Sequence, residues 1–159
     1  MEEKLKKITH SLENQCVRRE YCSSDILKKA ADKLEGNMEE ARQVLAYLVE
    51  NRFVDDSRYS VAFAREKSSI SGWGPVKIRF ALAAKRIPES VIKEALEEIE
   101  ESKADSRMEK LLETKWKSLQ QDPQGRLKLI RFALSRGYTY ESIKDAVARI
   151  TSESASDDI

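Results

Sequence analysis

Two adjacent aspartates have the type and spacing that could do chemistry in this chain. Asp55 and Asp56 form a carboxylate pair, which in other proteins can bind a metal ion or transfer protons. They directly follow the apolar residues Phe53 and Val54, a position typical of a helix start, where carboxylates accept free backbone N–H groups. A helix cap together with an ion pair to Arg58 accounts for both side chains. The sequence therefore predicts a structural role for the pair.

The cysteines and the histidine form no catalytic or metal-binding pattern. Cys16 and Cys22 lie on one helix and its end, in poor geometry for a disulfide, and a reducing compartment would leave both as thiols. A zinc site would need two more ligands, and only His10 is near in sequence. The sequence also lacks a glycine-rich phosphate loop. We therefore predict that the protein is not an enzyme and binds no cofactor or metal.

Charge is the more informative feature, because a net charge of +1 conceals segregation into blocks. Residues 57–88 carry seven basic and one acidic side chain, and residues 89–113 carry nine acidic and four basic ones. Residues 114–137 return to six basic and one acidic. Either neighbouring helices neutralise one another, or the basic helices line one face that meets phosphate or an acidic protein.

The candidate contact residues for such a partner are side chains of the two basic blocks. The best candidate patch combines Lys77, Lys85 and Arg86 with Arg65 and Lys67, and the alternative is that these side chains only keep the surface soluble. The full set of candidates for binding a partner protein or nucleic acid is Arg58, Arg65, Lys67, Trp73, Lys77, Arg79, Lys85, Arg86, Lys128 and Arg131.

A Trp-Gly-Pro joint between two helices positions most of these candidates. The first helix is predicted from about residue 57 to 70, with Tyr59, Ala62, Phe63 and Ile70 as its apolar positions. Glycines then end it, and a proline fits the first turn of the next helix. The tryptophan of the joint either packs between helical units or projects towards a partner.

An internal repeat organises the whole chain. The apolar set Ala41, Val44, Leu45 and Leu48 recurs with the same spacing 51 residues later, and again after another 51. The pentapeptide Ile-Arg-Phe-Ala-Leu occurs at 78–82 and again at 130–134, displaced by 52 residues. On this reading its two arginines, Arg79 and Arg131, occupy the same place and perform the same task in their units.

The repeat predicts an all-α protein built from three tandem three-helix repeats that form an elongated, curved helical array. The predicted repeats span residues 1–53, 54–102 and 103–150, followed by a flexible acidic tail at 151–159. Forty per cent apolar residues with five glycines and three prolines fit short amphipathic helices. No apolar run is long enough to cross a bilayer, so we expect a cytoplasmic protein without membrane contact.

The stretches FVDDSRYSVAFAREK and GPVKIRFALAAKRI resemble the RecX family of recombination regulators. The resemblance rests on the Asp-Asp-x-Arg-Tyr start, the Ile-Arg-x-x-Leu-x-x-Lys pattern and the upstream RREYCSSDIL. It implies a monomer that binds the RecA filament, contacts single-stranded DNA directly or through RecA, and restrains strand exchange and ATP hydrolysis in DNA repair, recombination and the SOS response.

This chain departs from the family pattern at the end of one helix. The third repeat keeps a glycine in Arg136-Gly137-Tyr138, but the second has Lys85-Arg86-Ile87, so Arg86 must adopt a left-handed conformation or the turn must differ. Two other functions stay open at this point: a free-standing helical nucleic-acid-binding module, and a helical-repeat protein adaptor that binds no nucleic acid.

Overall fold

The computed structural model describes residues 2–157, with side chains described through residue 152. All regular secondary structure within this range is helical. The prediction of an all-α protein is confirmed. None of the described helices combines the length and apolar character needed to span a bilayer. Within this range the helices are α1 Glu3–Arg18, α2 Ser23–Lys33, α3 Met38–Glu50, α4 Asp56–Ser69, α5 Pro75–Ala84, α6 Glu89–Glu97, α7 Glu101–Trp116, α8 Gly125–Ser135 and α9 Tyr140–Asp157.

The last helix is longer than the sequence predicted. Helix α9 continues to Asp157, whereas the repeat pattern ends at residue 150. The predicted flexible tail, residues 151–159, is thus helical over most of its length, and residues 158–159 lie outside the described range. A polar segment without apolar periodicity gave no signal for this extension, because it simply continues the backbone hydrogen bonding of the helix before it.

The two aspartates cap helices, as predicted, but each caps a different one. Oδ1 of Asp55 accepts the backbone N–H of Arg58 at 3.0 Å, at the start of α4. Oδ1 of Asp56 accepts the backbone N–H of Ser23 at 2.7 Å, at the start of α2. The predicted ion pair to Arg58 is wrong, because both aspartates are turned towards backbone donors and the Arg58 guanidinium pairs with Glu20 at 2.7 Å.

The chain forms two compact units. Unit 1 comprises Met1–Phe63 and Leu82–Ala95, and unit 2 comprises Ala64–Ala81 and Leu96–Ile159. The division between three repeats stays a prediction, because helices α4, α5 and α6 each contribute residues to both units. The core of unit 1 is centred on Leu12, Ile26, Ala30, Val44 and Leu48, and that of unit 2 on Leu112, Trp116, Leu129, Ala133 and Ile143.

The 51-residue repeat is also present in the conformation of three helix C-termini. Glu35, Arg86 and Gly137 have φ angles of 56°, 62° and 96°, and each is 51 residues from the next. The residue after each donates its backbone N–H five residues back, to Ala31, Leu82 and Ala133 respectively, at 2.8, 3.2 and 3.2 Å. These are the bonds of a left-handed helix cap. The expected left-handed conformation of Arg86 is therefore confirmed.

The two Ile-Arg-Phe-Ala-Leu segments do not occupy equivalent positions, which corrects the sequence interpretation. Ile78 and Leu82 are buried in α5, whereas Leu129 and Ala133, 51 residues later, are the buried pair in α8. The second pentapeptide is therefore one residue, or about 100° of helix rotation, out of register with the first. Arg131 consequently aligns with the exposed Phe80 and not with Arg79.

Helix α4 buries Tyr59 at 7% exposure and partly buries Phe63, as predicted, but the rest of its buried face consists of small residues. Ser60, Ala64 and Ser68 are 0%, 0% and 5% exposed and follow one another at four-residue intervals, on one face. Ile70 is 80% exposed, and Ala62 also faces solvent. Small side chains allow close packing without bulk, and a pattern based on hydrophobicity does not register them.

We expect the substitution Arg86→Gly to stabilise the protein by about 0.5–1 kcal/mol, because it removes a Cβ from a left-handed residue at the expense of some unfolded-state entropy. Gly137→Ala should destabilise the protein by more than that, since the added Cβ would lie 2.6 Å from the backbone nitrogen of Lys77. Urea unfolding of the two variants measures both effects. Equal changes of the same sign would contradict this account of the caps.

Candidate partner-binding surface

The joint between α4 and α5, residues 71–74, is held in place by the end of α8 within unit 2. The N–H of Gly74 donates to the carbonyl of Arg136 at 2.7 Å, and the N–H of Val76 donates to the carbonyl of Gly137 at 2.9 Å. A Cβ on Gly74 would lie 2.6 Å from the carbonyl carbon of Gly137, so the two backbones approach as closely as glycine allows. The joint is thus a fixed platform for the side chains that it carries.

Trp73 is part of this joint and lies between two lysines. Its backbone N–H donates to the carbonyl of Lys67 at 2.9 Å. The Lys67 and Lys77 ammonium nitrogens lie 4.9 and 4.5 Å from the centre of its ring system, within the range of cation–π attraction. We call these three residues the Trp73 cluster. The structure therefore brings together three of the ten candidate residues, all of them partly accessible.

Two other candidates are engaged in the structure of unit 1. Nε of Arg58 lies 2.8 and 2.7 Å from the two carboxylate oxygens of Glu20, and its Nη2 donates to the carbonyls of Arg52 and Phe53. Nζ of Lys85 lies 2.9 Å from a carboxylate oxygen of Asp25. Arg58 thus joins α4 to the α1–α2 connection and to the segment that follows α3, and Lys85 joins the segment that follows α5 to α2.

The remaining five candidates are exposed, and some of them form ion pairs or other contacts on the surface. Arg65 lies 3.4 Å from Glu98, with both side chains more than half exposed. Lys128 forms an ion pair with Asp122 and lowers the pKa of that carboxyl, chiefly through its hydrogen bond. Arg79 is exposed on α5 and has an interaction within the chain. Arg86 and Arg131 are exposed on the surfaces of unit 1 and unit 2 respectively.

The predicted five-residue patch is divided between the units. Arg65, Lys67 and Lys77 belong to unit 2, whereas Lys85 and Arg86 belong to unit 1. Their action as a single surface therefore stays a prediction.

Sequence reasoning missed the exposed apolar residues beside these cations. Phe80 is 78% exposed and Val76 is 50% exposed, four residues apart on the same face of α5. The hydrophobic pattern of α5 assigned no outward role to either residue, because an apolar side chain carries no sequence signal that separates core from surface. Only the register of α5, fixed by the buried Ile78 and Leu82, turns them outwards.

Burial disfavours the deprotonated forms of two cysteines and one tyrosine in unit 1. It raises the pKa of the Cys16 and Cys22 thiols, and it raises the pKa of Tyr59 to about 12. Neither thiol is therefore a ready nucleophile. Among the described residues, no group of three or more metal-binding side chains lies together. The Trp73 cluster and the exposed Val76 and Phe80 are instead suited to binding a partner through charge, an aromatic face and apolar groups.

These features define an all-α helical-repeat protein whose exposed helices carry cations and aromatic side chains. A family model described as the second three-helix domain of RecX matches residues 55–96, and another described as the third three-helix domain matches residues 104–147. The chain belongs to the RecX family.

Curated relatives agree with this assignment. The chain is 30% identical over 112 residues to Regulatory protein RecX of Clostridium tetani, and 34% identical over 127 residues to that of Clostridium botulinum strain Alaska E43. The aligned regions cover 68% and 76% of this chain but only 51% and 59% of those relatives. The relative from Chromohalobacter salexigens is 30% identical over 133 residues, which cover 83% of this chain and 85% of the relative.

Solved structures share the fold. A crystal structure of regulatory protein RecX superposes with a TM-score of 0.79 at 24% identity, covering 90% of this chain and 72% of that one. RecX from Lactobacillus salivarius superposes with a TM-score of 0.78 at 15% identity, covering 93% and 97%.

We expect Arg58→Met to lower the free energy of unfolding by about 1–2 kcal/mol, because it removes charge-assisted hydrogen bonds and leaves Glu20 without its partner. Arg131→Met, the matched control on an exposed helix position, should change it by less than about 0.5 kcal/mol. Urea unfolding monitored by circular dichroism compares the two. An unchanged Arg58→Met variant would show that this ion pair does not stabilise unit 1.

The protein should lose stability in alkali. The pKa of Tyr59, ordinarily 10.0, is raised to about 12 in the folded state, so deprotonation favours the unfolded chain. Its contribution is complete below about pH 10 and is lost as the pH rises towards 12. Urea unfolding at several pH values should show a shallower alkaline loss for Tyr59→Phe than for the wild type. The control Tyr47→Phe, at a more exposed tyrosine, should keep the wild-type slope.

Proposed function

We propose that this protein regulates the RecA recombinase by binding its filament on single-stranded DNA and inhibiting strand exchange and ATP hydrolysis. Membership in the RecX family supports this assignment, since the curated relatives are named as regulatory proteins. The observation that carries the site is the Trp73 cluster, a rigid combination of an indole and two ammonium groups. In this proposal the protein acts in the cytoplasm as a monomer, without a cofactor or catalysis of its own, in DNA repair, recombination and the SOS response.

The Trp73 cluster offers two kinds of contact to a nucleoprotein filament. Lys67 and Lys77 supply positive charge for DNA phosphates or for acidic side chains of RecA. The indole supplies a π face on which an exposed base can stack. Because the joint is fixed by α8, little conformational freedom is lost when these groups bind.

The other candidates follow in an order set by their present partners. Arg86 and Arg131 are exposed, and Arg65 and Lys128 would exchange surface ion pairs, which contribute little to stability. Arg79 lies beside the exposed Phe80 on α5 and would act with it. Arg58 and Lys85 come last, because binding a partner would compete with their contacts inside unit 1.

The experiment measures phosphate release by RecA on single-stranded DNA while this protein is added. The wild type should inhibit at stoichiometric amounts. The double variant Lys67→Gln/Lys77→Gln should need about tenfold more protein for the same inhibition, whereas Lys93→Gln/Lys110→Gln, with the same charge change at exposed helix positions, should match the wild type. Absence of inhibition by the wild type would contradict the proposal.

Direct binding to single-stranded DNA distinguishes the two sources of attraction. If Lys67 and Lys77 meet phosphates, their double substitution should flatten the logarithmic salt dependence of DNA binding by about 1.4, or about 0.7 per contact. If they meet acidic groups of RecA, inhibition should weaken while the affinity for free DNA stays unchanged. DNA binding with full salt dependence but no effect on RecA would instead indicate a free-standing nucleic-acid-binding module.

A further inference from the structure

Unit 2 contains a groove of about 640 Å³ with an apolar floor. Ile78, Met108 and Tyr138 are among its lining residues, and each is at least 91% buried. Trp73 forms part of the wall and is only half-buried. This volume lies in the range of sites that enclose several apolar groups of a ligand.

All of the charged residues that line this groove are carboxylates. Glu97, Glu100, Glu101 and Asp105 line the groove, and none of its lining residues is basic. Glu100 pairs with Lys103 at 3.2 Å, whereas within residues 2–152 no ion pair joins Glu97, Glu101 or Asp105 to another side chain. The lining of the groove therefore carries net negative charge. Cations contact two of its lining residues: Arg107 donates to the Ser68 hydroxyl at 2.9 Å, and Lys67 and Lys77 lie over the Trp73 ring.

The wall of the groove is built in advance. The Tyr138 hydroxyl donates to the carbonyl of Gly72 at 3.0 Å, and burial raises the pKa of that hydroxyl, so it stays a donor. Gly72 itself has a φ of 69°, which favours glycine, and a Cβ at this position would lie 3.6 Å from the Leu111 side chain. A ligand would therefore meet a groove that needs little rearrangement.

We propose that this groove binds a segment of a partner protein in which one large apolar side chain is flanked by lysines or arginines. The apolar side chain would lie against Ile78 and Met108, and the cations would meet the carboxylates of the rim. Glu101 and Asp105 are one helical turn apart on α7, about 6 Å along its axis, which matches the spacing of alternate side chains on an extended peptide. The proposal goes beyond RecA regulation and holds whichever protein supplies the segment.

The test uses the full chain and dye-labelled synthetic peptides. The probe has a central Phe flanked by two Lys on each side in a Ser/Gly background, and its two controls replace Phe with Ser or every Lys with Glu. Fluorescence anisotropy at low salt should show binding of the Phe/Lys probe and at least about tenfold weaker binding of both controls.

Two groove variants locate the site. Ala104→Leu fills the groove at a lining position and should weaken probe binding about tenfold or more, because the larger side chain occupies space that the probe needs. Its control Ala148→Leu makes the same change at an exposed position of α9 and should bind normally. Glu101→Gln/Asp105→Asn should weaken binding about threefold to tenfold, because it removes two exposed charge pairs with the probe. Glu66→Gln/Asp145→Asn, with the same charge change outside the groove, should not.

Three results would overturn the proposal. The first is absence of probe binding to the wild type, and the second is equal binding of the Ser control, which would reduce the interaction to charge alone. The third is sedimentation showing that the chain self-associates and that Ala104→Leu abolishes this, because the occupant would then be a second copy. If circular dichroism shows that Ala104→Leu is unfolded, the comparison of the two double charge variants decides.

Discussion

The close approach of two backbones at Gly74 and Gly137 is the constraint on which the candidate sites of unit 2 depend. A side chain at Gly74 would collide with the carbonyl of Gly137, and one at Gly137 would collide with the backbone of Lys77. The hydrogen bonds made possible by this contact fix the start of α5 against the end of α8. Trp73 is therefore set between its two lysines, and Tyr138, next to the second glycine, becomes a wall of the acidic groove.

The basic residues fall into two groups according to the groups that their side chains contact. Arg58 combines a carboxylate with two backbone carbonyls, so its guanidinium serves as a planar connector within unit 1. Lys67 and Lys77 instead lie over the ring system of Trp73, within the range of cation–π attraction. Segregated charge blocks in the sequence thus contain both structural cations and binding candidates.

Unit 2 presents surfaces of opposite character. The Trp73 cluster is cationic, whereas the groove that Trp73 also lines is bordered by carboxylates. Under the proposed function such a pairing would favour a nucleoprotein filament, since attraction to phosphate alone does not distinguish a filament from bare DNA. The carboxylates that line the groove would instead favour a segment of a protein that carries cations.

The sequence by itself determined the helical class, the 51-residue repeat and the capping role of Asp55, because each depends on local geometry or on the period of buried residues. It narrowed the conformation of Arg86 to a left-handed residue or a different turn, and the structure decided for the left-handed residue. It also indicated the family through contiguous motifs. Tertiary structure alone decided which cations form structural ion pairs and that Phe80 is exposed. It also decided that different positions of the two identical pentapeptides face the core. It also brought the lining residues of the acidic groove together from five separate helices and their connections. The reason is physical: a helix period states which residues share a face, but the direction of that face, and the partner of each charge, are set by packing between segments distant in sequence.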